Sequence, residues 1–143
     1  MTTTESIRDW FLGCPQIQEM MNFYADYIGT ETIEASIFTE PSTLNQNVDI
    51  AGNVSYEGEQ TLNFTFAISA PFGSDVKQNL DNLELLQEVT EWIYEKNKAK
   101  DFPEIVEGSV MSIMPKSSAH LAEASTSIAI YEMPCSLLYW RYE

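Results

Sequence analysis

Basic residues are scarce in this 143-residue sequence, which has 7 lysines and arginines against 22 aspartates and glutamates, and a formal net charge of −15. No lysine or arginine lies between Arg8 and Lys77. A protein that holds nucleic acid needs cations to replace the counterions of the phosphates. We therefore expect neither specific binding of DNA nor attachment to an anionic membrane. The excess of acid is explained either by solubility or by a surface that DNA passes without adhering.

Histidine and cysteine are also rare. His120 is the single histidine, so a Ser–His or Cys–His catalytic pair would have to use it. No G-x-S-x-G nucleophile turn accompanies it, and an exposed loop histidine is expected. Zinc sites need about four Cys or His ligands at paired spacings, which Cys14, His120 and Cys135 do not provide. Two cysteines are too few for a disulfide framework, and their apolar neighbours predict buried, reduced thiols.

Other motifs are absent as well. No apolar run approaches the ~20 residues of a membrane-spanning helix, and the N-terminus lacks the features of a signal peptide, so we expect the chain to fold in a cytoplasm. No calcium-loop or phosphate-loop motif occurs. The neighbouring carboxylates Glu31 and Glu34, and likewise Glu104 and Glu107, are expected on solvated faces. The sequence therefore predicts no catalytic, cofactor-binding or metal-binding residue, and a protein that is not an enzyme.

The helices are predicted from apolar spacing. Apolar residues make up 44% of the chain and aromatic residues 12%, which is ordinary for a globular protein, and the length predicts one domain over residues 1–143. Thr2 and Glu5 have the spacing of a capping box before a helix that ends at Gly13. Residues 17–28 are expected to be helical or irregular. The longest helix is predicted over Asn79–Lys98, with one apolar stripe made of Leu85, Leu86, Val89, Trp92 and Ile93.

Apolar alternation and β-forming residues predict five strands, Thr32–Glu40, Val48–Tyr56, Gln60–Ser69, Val106–Met114 and Ser127–Tyr142. Val48–Tyr56 is expected to be the hairpin partner of Gln60–Ser69. Pro134 is expected to mark an edge or a bulge, because proline cannot donate to a ladder. Strands joined by hairpins with helices held to one side predict an α+β fold, a mostly antiparallel sheet packed on two main helices.

Three segments are candidates for contacts with other proteins. The loops Pro41–Asn47 and Lys116–Thr126 are longer than a tight hairpin requires and have few large apolar residues, so we expect them to be mobile until a neighbour orders them. The tail Leu137–Tyr142 carries bulky groups on both faces. Aromatic residues and arginine are enriched where proteins dock, so one face of the tail is expected to cover a helix and the other is a candidate interface.

A set of segments occurs in order along nearly the whole chain: Ser6–Ile7, Trp10, Cys14–Pro15, Tyr56–Gly58, Asn63–Ile68, Asn79–Leu83, Glu91–Lys98, Phe102–Pro103 and Ala129–Tyr139. Together they resemble the minor capsid or tail terminator proteins of siphophages and prophages of Gram-positive bacteria. The motifs are structural. None of them is a catalytic signature.

The resemblance implies a structural protein of the virion tail, assembled in the cytoplasm of the bacterial host. It implies a ring, commonly a hexamer, that ends growth of the tail tube and joins the tail to the head. The implied partners are copies of the same chain, the tail tube protein and the head–tail connector proteins, while DNA passes without specific binding. The acidic first half would then line the lumen. A monomeric adaptor domain that binds one protein partner is the alternative, and an enzyme is a third class.

Overall fold

The computed structural model describes residues 2–20, 22–29, 33–125 and 127–142. The helices are α1 Thr3–Phe11, α2 Pro15–Gln18 and α3 Val76–Lys98. The strands are β1 Asn22–Ala25, β2 Glu34–Thr39, β3 Asn47–Val48, β4 Val54–Ser55, β5 Gly58–Pro71, β6 Gly108–Pro115, β7 His120–Ala124 and β8 Ile128–Arg141. Glu31, Thr32 and Thr126, which the predictions name, and Met21 within the predicted segment 17–28 lie outside the described residues.

Six strands form the main sheet, in the order β1-β2-β5-β8-β6, with β7 paired to β8 beside the end of β6. β1 and β2 are parallel, and the other pairs are antiparallel. The centre is the long β5–β8 pair, which runs from Gly58 opposite Arg141 to Pro71 opposite Ile128. A mostly antiparallel sheet with two main helices confirms the predicted α+β class.

The core lies between one face of this sheet and the helices. The register places Ile37, Phe66 and Met133 side by side on that face. Phe11 of α1 stacks on Phe66, with ring centroids 5.2 Å apart. The predicted stripe of α3 packs on the same core, with Leu86, Val89 and Ile93 buried and Leu85 and Trp92 half-buried.

The helix ends follow the expected capping rules. Thr2 Oγ1 accepts from the Glu5 N–H at 3.1 Å and the Glu5 carboxylate accepts from the Thr2 N–H at 3.3 Å, which is the predicted capping box. α3 begins three residues before the predicted Asn79, because the Asp75 carboxylate accepts from the N–H groups of Lys77 and Gln78. A short polar side chain ahead of the first turn satisfies donors that have no partner within the helix.

Two predicted segments form different elements. Residues 17–28 were expected to be helical or irregular, but only α2 is helical and β1 pairs with β2, while the Arg8 guanidinium donates to the Phe23 carbonyl beside it. The pairing of Val48–Tyr56 with Gln60–Ser69 is wrong. β3 and β4 pair with each other instead, because the Asp49 carboxylate accepts from the Ala51 and Asn53 N–H groups and closes a turn inside the segment.

Two further predictions are corrected, one about the segment Lys116–Thr126 and one about Pro134 in the last strand. Lys116–Thr126 is not only a loop, since it contains β7, whose residues pair with β8 from His120 to Ala124. β8 is not an edge strand, since it lies between β5 and β6. Pro134 is tolerated there because no ladder residue of β6 or β7 lies opposite it: β6 stops opposite Cys135 and β7 starts opposite Glu132. The Pro134 carbonyl still accepts from the Lys116 N–H at 2.7 Å, so the chain loses no ladder bond through the missing proline N–H.

Candidate functional site

The residues considered for chemistry do not meet. His120 begins β7 and is exposed, and its ring Nδ1 lies 3.2 Å from the Ser118 carbonyl oxygen. Its predicted place in a loop is therefore wrong, although its exposure is as predicted. Cys14 and Cys135 are free and buried, as predicted. Among the described residues no group of three or more His, Cys, Asp or Glu side chains is placed to hold a metal ion.

The carboxylate pairs were expected on solvated faces. Glu104 is exposed, whereas Glu34 is buried, so the prediction is wrong for Glu34. Its carboxylate accepts from Asn22 Nδ2 at 3.0 Å and from the Tyr24 hydroxyl at 3.4 Å. Both bonds go to Oε1 and join β1 to β2, whereas Oε2 is buried without a hydrogen-bond partner among the described residues. The loss of solvent around this carboxylate is therefore only partly replaced by hydrogen bonds.

No helix among the described residues has both the length and the apolar composition that crossing a membrane requires.

Among the described residues, the most exposed large apolar side chain is Ile50, on the β3–β4 hairpin, residues 47–55. Val48, Ile50 and Val54 are all exposed, and Ile50 is as accessible as in an extended peptide. A Cβ added at Gly52, which has φ +85°, would meet no atom within 4 Å, so the tip projects into solvent. The predicted loop Pro41–Asn47 leads into the first strand of this hairpin.

Gln60 holds the base of the hairpin. Its Oε1 accepts from the Asn45 N–H at 2.8 Å, and its Nε2 donates to the Asn45 and Tyr56 carbonyls, each at 2.8 Å. The Ser42 hydroxyl also accepts from the Asn63 N–H at 2.7 Å. Residues on both sides of the hairpin are thus hydrogen-bonded to β5 of the same chain. The sequence had predicted a mobile loop over Pro41–Asn47.

A second apolar surface is a groove between α3 and the β6–β7 edge, which we call the α3–β7 groove. Its exposed apolar residues are Val76, Leu80 and Leu83 on α3 and Leu121 on β7. It comprises two adjoining clefts of about 470 and 450 Å³ that share Leu83. Apolar residues that recur every three or four positions on an exposed helix face are typical of a surface that is covered by a partner.

A third face of α3 is acidic. Asp81, Glu84, Glu88, Glu91 and Glu95 are all exposed and recur at a spacing of three or four residues. That spacing aligns them on one helix face, along roughly 21 Å at about 1.5 Å per residue. The prediction had placed the acidic surface in the first half of the chain. The i, i+3, i+7 spacing of acidic residues within α3 is the sequence pattern from which this stripe could have been predicted.

The last strand has the two faces expected of it. Leu137 and Tyr139 are buried, whereas Trp140 and the following Tyr142 are about half exposed. Trp140 pairs with Ser109 and Glu59 in the sheet. A contact of this tail with another protein stays a prediction.

No protein-family model matches the sequence, and no curated protein is significantly similar to it. Among solved structures, one protein whose name states no function is similar over 97% of this chain and 91% of its own, with a TM-score of 0.45 and 10% sequence identity. A likeness this weak carries no argument about function.

Proposed function

We propose that this protein is a structural component of a phage or prophage tail, a ring-forming tail terminator that ends growth of the tail tube and joins tail to head. The proposal starts from the resemblance of nine segments spread from Ser6 to Tyr139. The observation that carries it in three dimensions is the projecting β3–β4 hairpin with Ile50 at its tip. The exposed side chains of Val48 and Val54 are cross-strand partners, and Ile50 follows them at the turn. An exposed apolar patch, unlike a single exposed residue, is typical of a protein–protein contact.

The proposal is for a protein without catalysis. The titratable groups considered from the sequence lie apart, and His120 is bonded to the carbonyl of Ser118 and not to a nucleophile or an acid. The apolar surfaces and the charged stripe described above suit assembly with copies of the chain, the tube protein and the connector proteins.

The acidic stripe of α3 is the candidate wall for passing DNA. Most of the lysines are already paired with acids: Lys77 with Asp81, Lys96 with Asp101, Lys98 with Glu95 and Lys116 with Glu40. Two of these lysines neutralise the ends of the stripe, at Asp81 and Glu95, so its carboxylates without an ion pair among the described residues are Glu84, Glu88 and Glu91. Like charges repel phosphates, so the genome would pass without adhering.

The proposal is tested by adding the purified protein to tail tubes that lack their terminator. Electron microscopy should show one ring of density at a single end of each tube, and those tubes should stop growing. Uncapped tubes that keep growing would contradict the proposal. A monomeric adaptor is the alternative, and it would bind as one copy per site, which mass measurement of the complex distinguishes from a ring.

A further inference from the structure

The chain carries two exposed apolar surfaces, one convex and one concave. One is a ridge, the β3–β4 hairpin with Val48, Ile50 and Val54, and the other is the α3–β7 groove with Leu80 and Leu83. Covering an exposed isoleucine or leucine side chain stabilises a complex by about 1.5–3 kcal/mol. Each surface therefore favours contact with an apolar partner.

The two surfaces cannot meet within one molecule. The hairpin joins β5 at Gly58, whereas Tyr131 in the groove wall pairs with Ile68, ten residues further along the same strand. At about 3.3 Å per residue the separation is roughly 33 Å. The hairpin extends only about 10 Å beyond its base, since its ladder consists of the pairs Asn47–Ser55 and Val48–Val54. A hairpin that fills a groove must therefore belong to another copy.

The charges of the two surfaces are compatible. The hairpin and its base carry Asp49, Glu57 and Glu59, and they have no basic residue. The described residues that line the groove include no carboxylate, and its lysine, Lys116, is already paired with Glu40 at 3.5 Å. In a chain with a net charge of −15, a groove lined without acids is the surface on which an acidic hairpin meets least repulsion.

We infer that the β3–β4 hairpin of one copy docks in the α3–β7 groove of the next copy. Because the two patches differ, the contact is heterologous, and copies that share it form a closed ring when the rotation closes. This inference rests on the proposed function and adds to it the two surfaces that build the ring. Gln60 is then a positioning residue, since it contributes to the direction in which the hairpin projects.

Cross-linking in the assembled particle tests the contact. Phage carrying both Ile50→Cys and Leu80→Cys are purified and oxidised, and the protein is separated under denaturing, non-reducing conditions. The native thiols of Cys14 and Cys135 are buried and do not compete. We expect a ladder of cross-linked copies that ends at the size of the ring, six copies for a hexamer. The matched control pairs Ile50→Cys with Val106→Cys, an exposed apolar position outside the groove, and should give no ladder.

A substitution test covers the case in which the cysteine phage do not assemble. Ile50→Asp should weaken association of the copies about ten- to a hundredfold and lower the titre of complemented phage, while Val106→Asp should not. Both variants should keep the wild-type melting temperature, because both positions are exposed. Equal complementation by the two variants, or particles that contain the protein but show no more cross-linking than the Val106 control, would overturn the inference and leave the tail function standing. Normal particles formed in the absence of the gene would instead contradict the proposed tail function.

Discussion

Gln60 and Asn45 form a closed pair of hydrogen bonds, since Gln60 Oε1 accepts from the Asn45 N–H and Gln60 Nε2 donates to the Asn45 carbonyl, both at 2.8 Å. Gln60 is fully buried near the start of β5. This side chain is one of the groups that connect the hairpin exposing Ile50 to the sheet, together with the bond between Ser42 and Asn63. The buried amide therefore contributes to the direction of the hairpin.

Replacing Gln60 with alanine tests that connection. Loss of the amide leaves the Asn45 and Tyr56 groups without their partner, and a buried unsatisfied group costs about 1–3 kcal/mol. We expect a lower free energy of unfolding in denaturant titrations and faster amide exchange over residues 47–55. Gln46→Ala is the control, because it removes only an exposed bond to the Tyr56 hydroxyl. Unchanged exchange in the hairpin of the Gln60 variant would show that other contacts fix its direction.

The aromatic core gives a second prediction. Phe66 is fully buried and stacked on Phe11, and Ile93 of α3 is also fully buried. Phe66→Ala should cost about 3–5 kcal/mol and Ile93→Ala about 2–5 kcal/mol, because each leaves a cavity. Val106→Ala, at an exposed position, should stay within about 0.5 kcal/mol of the wild type. Unfolding midpoints that match the wild type for both core variants would contradict the assignment of this face.

The core could be predicted because apolar spacing depends on local sequence alone. The stripe with Leu86 and Ile93 and the alternation around Phe66 repeat with the periods of a helix and a strand. The pairing of strands could not be predicted in the same way. The short strand β1 has only four residues and pairs in parallel with β2, and such a pairing leaves no local turn signal.

The candidate site was harder to predict than the core. The hairpin was missed because its turn depends on Asp49 bonding back to Ala51 and Asn53, while the alternation of Val48–Tyr56 suited a longer strand. The α3–β7 groove could not be predicted, because the sequence of the segment that forms β7 is typical of a loop. Its five residues are all exposed, so their pattern lacks the apolar alternation of a half-buried strand.

Thiol reactivity gives a third prediction. Burial raises the pKa of Cys135 to about 12 and also raises the pKa of Cys14 above its ordinary value of 9.0. A raised pKa keeps both thiols protonated at pH 8, and the thiolate is the reactive form. A thiol reagent should therefore label neither cysteine until the protein unfolds, whereas a Leu80→Cys variant should react at once. Rapid labelling of Cys135 in the folded wild type would mean that β8 opens locally.

A fourth prediction concerns DNA. Arg8 donates to the Phe23 carbonyl, Lys77 and Lys116 are paired with acids, and the net charge is −15. At about 0.15 M salt we expect no measurable affinity for duplex DNA, since binding depends on cations that neutralise phosphates. A salt-sensitive complex at micromolar concentrations would refute the role proposed for the acidic stripe.

The central claim, that the protein is a tail terminator, is tested most directly by inactivating its gene and inducing the formation of phage particles. The measurement is the length distribution of tails, and the fraction joined to heads, by electron microscopy of induced cells with and without a complementing copy. The account predicts tails of irregular, extended length without heads, restored to one length with heads by the wild-type copy. Tails of normal length joined to full heads in the absence of the gene would contradict it.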